Sequence, residues 1–90
     1  MSSAPHDHRD LSLSAVRADA LFASPLQRSD HPSAGQVRQA IAAAAAAYGC
    51  LGCAARVAQA FGEHPETAVA RMRWARTMVA REVPVTLLAA

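Results

Sequence analysis

The sequence predicts an all-α domain: a small bundle of about four helices with a helix-turn-helix in its C-terminal half. Apolar residues recur at three- and four-residue spacing along most of the chain, capping and breaking residues divide it at helical lengths, and no stretch alternates as a strand does. The expected organisation is a disordered tail over residues 1–10, one helical domain over 11–82 and a C-terminal tail over 83–90, with no internal repeat.

The opening MSSAPHDHR is polar, broken by proline and without period, hence the expected tail. From Leu11 to Ala23, Leu13, Val16, Ala20 and Leu21 share a helical face, with Asp10, Ser12 or Ser14 as caps. Ser24-Pro25 ends that helix, because the residue before a proline is pushed out of helical geometry, and a linker follows to Pro32. Ser33 followed by Gln36 forms a capping box. Val37, Ile41, Ala44 or Ala45, and Tyr48 then fall on one face, across an alanine run of high helix propensity. Gly49 and Gly52 break the chain, and a third helix is expected from Cys53 to Phe61. Gly62-Glu63-His64 reads as a turn, Pro65 suits the first position of a fourth helix running to Arg81, and Pro84 stops it.

Ninety residues bury only about 60–65% of the surface that the unfolded chain exposes, so stability is modest. Alanine dominates the 52% hydrophobic fraction. The bulky core must therefore come from Phe22, Tyr48, Phe61, Trp74 and a few aliphatic side chains. The net charge of +2 does not mark a nucleic-acid binder by itself. The distribution says more: Arg71, Arg73, Arg76 and Arg81 face only Glu66 between positions 66 and 81. All basic side chains are arginine, which with the alanine content implies a GC-rich, bacterial genome. No run reaches the roughly 20 apolar residues of a membrane span, and the N-terminus lacks the basic start of a signal peptide, so a cytoplasmic protein with reduced thiols is expected.

The informative segment is ARVAQAFGEHPETAVARMRWAR, residues 55–76, within a helix-turn-helix of residues 53–81. Ala58 is the small residue inside the first helix, Gly62 offers left-handed backbone at the turn, and Ala68 and Met72 point inward from the second helix. Val57, Ala58 and Phe61 before the turn, and Ala68, Met72, Ala75 and Val79 after it, make facing stripes. This segment resembles the DNA-reading helix-turn-helix in the C-terminal domain of bacterial sigma factors, over about a quarter of the chain. The shared features are Ala58, Gly62, Thr67, Arg71, Met72 and the closing Ala75-Arg76. Ala68 replaces the usual valine, Ala70 cannot read a base edge, and no polymerase-binding domain precedes the motif. Residues 20–81 also resemble short uncharacterised actinobacterial proteins, a likeness that carries no activity.

The resemblance implies a small DNA-binding or transcription-associated regulator that is not an enzyme, with duplex DNA as partner and a homodimer to add affinity. Thr67 and Arg71 would read bases, and Arg73, Arg76 and Arg81 would reach phosphates. A second reading makes the chain a helical protein-interaction module without DNA binding, using the alanine-rich helix or the Trp74 face. A third makes it a small zinc or thiol protein on Cys50 and Cys53, with His64 as a weak further ligand. That C-x-x-C follows a helix rather than a strand, and a closed zinc site would want two more ligands, so no metal or cofactor is assigned. His6 and His8 in the tail, and the scattered serines and acids, form no catalytic grouping.

Overall fold

The computed structural model describes the backbone of residues 4–89 and the side chains of residues 13–81. It consists of α1 (Ala4–Ala23), α2 (Ala34–Glu63) and α3 (Pro65–Ala89), with a 3-10 turn at Arg28–Asp30 between the first two, and no strand among the described residues. The all-helical class holds. The expected count of four helices becomes three, with α2 covering both the second and the third expected helix, and the expected break survives inside it as a kink at Gly49.

Two outer boundaries also differ from expectation. Helix α1 starts at Ala4, inside the expected tail. Pro5 is the second residue of the helix, where no intrahelical partner for its missing N–H is needed. Helix α3 runs to Ala89, past Pro84 and through the expected C-terminal tail, whose side chains lie outside the described residues. A proline deletes one i→i−4 bond and leaves the flanking turns intact, so it does not have to end a helix.

The Ser33 capping box forms as expected: the Gln36 backbone N–H donates to Ser33 Oγ at 3.2 Å, and the Ser33 N–H donates to Gln36 Oε1 at 2.8 Å. Within α2 the only non-helical backbone is at Gly49, with φ 72° and ψ 174°. That region is essentially open to glycine alone. Gly49 therefore makes an elbow between two arms, residues 34–48 and 50–63. The arms lie close because Gly52 has no side chain: a Cβ there would stand 2.9 Å from Tyr48 Cβ. The buried Cys53 thiol points at the Ala44 carbonyl oxygen at 3.7 Å, and the Arg56 guanidinium lies 3.8 Å from the centre of the Tyr48 ring. Tyr48, expected to pack inward, is 39% exposed beneath that arginine.

The main core joins all three helices. Ala18, Leu21 and Phe22 from α1 and Val37 from α2 meet Ala68, Met72, Ala75 and Val79, which form the inward stripe expected for α3. A smaller cluster of Ala20, Ala44 and Cys53 fills the inside of the elbow. Leu13, expected on the inner face of α1, is 60% exposed instead.

The joint between α2 and α3 is tighter than the expected turn. Its single non-helical residue is His64, φ −140° and ψ 70°, whose N–H donates to the Ala60 carbonyl at 2.7 Å. Gly62 lies inside α2 without positive φ, and Ala58 is exposed, while Val57 and Ala60 pack on the core. The small residue packed on the core is thus Ala60 rather than Ala58.

By length and composition α2 is apolar enough to cross a membrane, with a mean hydropathy of 1.5 over its best window. Gly49 divides it into arms that are each shorter than the roughly 20 residues of a span.

Because only glycine tolerates the elbow backbone, Gly49→Ala is expected to lower the unfolding free energy by about 1–3 kcal/mol in urea titration. Helical circular dichroism of the folded state should change little, since an added Cβ at this position meets nothing within 4 Å.

Candidate nucleic-acid interface

The site is organised by the end of α1. Helix C-termini leave carbonyl oxygens without partners, and this one has a particular deficit. Pro25 has no N–H to give the Leu21 carbonyl, and the Leu26 N–H is diverted to Ser24 Oγ at 3.3 Å. Ser24 Oγ donates to the Leu21 carbonyl at 2.7 Å. Arg71 supplies the rest from α3. Its Nε donates to the Phe22 carbonyl at 2.9 Å, and its Nη2 faces the carbonyls of Ser24 and Leu26 at 2.8 Å each and of Leu21 at 3.4 Å. The guanidinium lies 5.6 Å from the centre of the Phe22 ring and 5.2 Å from that of Trp74. Burial pulls the Arg71 pKa below the usual guanidinium range. A cation at a helix C-terminus is also favoured by the helix dipole.

Arg71, expected to read bases, is therefore a structural tie between α1, the following loop and α3. Its planar fork is committed to backbone oxygens and cannot also reach out to a base edge.

With Arg71 fixed, the other α3 side chains follow from a turn of about 100° per residue. Ala68, Ala75, Val79 and Met72 lie within about 40–100° of it and form the core face. Arg73, Thr77, Ala70, Arg81, Trp74 and Met78 lie about 200–340° round and face an open groove of about 690 Å³. Its opposite wall is the loop before α2: Arg28, His31 and Pro32. His31 turns into that wall through left-handed backbone, φ 49°. Among the described residues the lining brings together three arginines, a histidine and the half-buried Trp74 indole, and holds no acid.

The remaining expected phosphate contact, Arg76, lies about 140° round, on the other border of the core face. There its charge acts on Asp19 of α1, whose pKa burial raises above the ordinary 3.8 and Arg76 partly lowers again. Thr67 is exposed in the first turn of α3, outside the groove lining. Of the five expected contacts, the structure thus gathers Arg73 and Arg81 and separates Thr67, Arg71 and Arg76. It adds Arg28 and His31, which lie in the expected linker; their one sequence signal is a pair of basic residues three apart between Pro25 and Pro32.

The cysteines lie away from the groove at the α2 elbow. Cys50 is exposed, and Cys53 is buried, with its thiol pKa raised by burial first and by the Asp19 charge second. His64 caps the far end of that arm, about 20 Å along the axis. Among the described residues no three metal-ligating side chains come together.

The chain matches no protein-family model, no curated protein and no solved structure.

Two outcomes follow. Arg71→Ala takes the side-chain donor from the Phe22, Ser24 and Leu26 carbonyls and is expected to cost about 3 kcal/mol of unfolding free energy, with Arg71→Lys recovering less than half, since an ammonium lacks the fork. The folded chain also holds the Asp19 proton more tightly than the unfolded chain, so ionising Asp19 costs stability as pH rises above 3.8. Asp19→Asn is expected to melt modestly higher than the parent at pH 7 and at the same temperature near pH 3; a gain that persisted at pH 3 would assign the effect to something other than charge.

Proposed function

We propose that this protein is a small nucleic-acid-binding, transcription-associated regulator, and that it binds through the groove between α3 and the loop before α2. One observation carries the reading: Arg28, Arg73 and Arg81 converge with His31 from two separate elements on one surface that holds no acidic side chain among the described residues. Arginines around a concavity with no acid in its lining attract phosphate and neutralise it with release of counterions. The resemblance of residues 55–76 to the helix-turn-helix of sigma factors supports the same class of ligand. The contact set differs from the one that resemblance implies: Arg28, Arg73 and Arg81 meet phosphates, while Arg71 and Arg76 serve the fold.

Fluorescence anisotropy with a labelled oligonucleotide tests the proposal. Binding should weaken with salt at a log–log slope of about −2 to −3, as expected for three neutralised phosphates. Arg73→Ala with Arg81→Ala should abolish it without changing helicity, and Arg76→Ala should weaken it far less. Salt-insensitive binding, or none at low salt, defeats the proposal.

A further inference from the structure

The shape of the groove narrows the kind of nucleic acid it fits. A helix that enters the major groove of a duplex does so as a lone cylinder about 10–12 Å across, into a channel about 12 Å wide. Here the cationic face of α3 is not a lone cylinder. Arg28, His31 and Pro32 stand beside it as a second wall, so the arginines point into a trough rather than off a ridge. A duplex meets the rims of such a trough; a single strand can lie in it.

The trough also contains an aromatic surface. Trp74 lines it beside Arg73 and Arg81, packs in part against the core, and has its indole centre 5.2 Å from the Arg71 guanidinium that ties α1 to α3. Arg73 and Arg81 are about 12 Å apart along α3, which spans three or four nucleotides at the stacked spacing of about 3.4 Å. Basic side chains tracking a backbone, with an aromatic ring between them, are the elements that bind single strands with little sequence preference.

We infer that the groove binds single-stranded nucleic acid in preference to duplex, with a base stacked on Trp74 and flanking phosphates on Arg28, Arg73 and Arg81. The inference rests on the nucleic-acid reading above and specifies its ligand.

Trp74 is the chain's single tryptophan, so intrinsic tryptophan fluorescence comes from a side chain that lines this groove. The full chain would be titrated with a twelve-residue oligothymidylate, with a duplex of the same length and with thymidine monophosphate. The expected result is saturable quenching of Trp74 by the single strand, and affinity for it about tenfold above that for the duplex, the scale of one base–aromatic stack. Trp74→Leu should remove that preference in anisotropy while Trp74→Phe keeps it. The quenching measurement on the parent protein decides the matter even if the leucine variant fails to fold. Duplex binding at equal or higher affinity with Trp74 fluorescence unchanged overturns the inference and leaves the nucleic-acid reading standing. Quenching by the mononucleotide as tight as by the oligomer overturns the strand, and binding to none of the three overturns both readings.

Discussion

The structure depends on one contact, the Arg71 guanidinium on the open end of α1. Helix α1 finishes at Ala23, just before a serine and a proline, a sequence that stops the helix and at the same time removes a donor that its carbonyls would use. Arg71 restores those bonds from a residue nearly fifty positions away. Several charge-assisted bonds from one rigid fork restrict rotation as well as distance. They therefore fix how α3 is turned about its own axis. With that rotation set, Ala68, Met72, Ala75 and Val79 face the core, Arg73 and Arg81 face the loop, and Arg76 reaches the border with α1. The groove is thus a consequence of the cap on α1.

Local patterns predicted local features well. The Ser33–Gln36 capping box and the inward stripe of α3 can be read from residues three or four apart, and both are present. The features that define the site were not local. Arg71 carries no mark distinguishing it from Arg73 in the string ARMRWAR. A helical wheel places it on the border of the apolar face, where an arginine can either solvate that border or turn inward. The choice depends on unpaired carbonyls that only the folded chain presents. The glycines were ambiguous for a related reason. Gly49, Gly52 and Gly62 all permit a break, and which of them takes positive φ depends on where the arms of α2 find packing partners; Gly49 does, while Gly52 serves by having no side chain beside Tyr48. The helix-turn-helix expectation used Gly62 for a turn that the chain makes at His64.

Alanine explains how so small a chain closes a core with few large side chains. Ala18, Ala20, Ala44, Ala68 and Ala75 are all buried, and methyl groups at helix contacts let backbones approach where larger residues would hold them apart. Each such contact buries little area, so stability depends more on fixed geometry than on apolar volume. The Gly49 elbow, the Cys53 thiol against Ala44 and the Arg71 tie supply that geometry.

The same economy concentrates charge. A net charge of +2 gives a weak average field, yet three arginines and no described acid line the groove, because the side chains of the described acids are engaged or directed outside that lining. Asp19 lies against Arg76 on the far border of the core face. Asp30 accepts the Gln27 N–H at 2.9 Å, and Glu63 accepts from the Gln59 amide at 3.2 Å. Glu66 occupies the first turn of α3, where the helix dipole favours an anion. Arg71, which might have added to the field outside, spends its charge on backbone oxygens. Arg28, Arg73 and Arg81 are left facing solvent across one trough, which Trp74 also lines. At separations near the Debye length of about 8–10 Å, such a cluster acts on a nearby polyanion with little cancellation from charges on the other faces. A sum over the sequence hides a field of this kind, because the helices sort the charges that the sum combines.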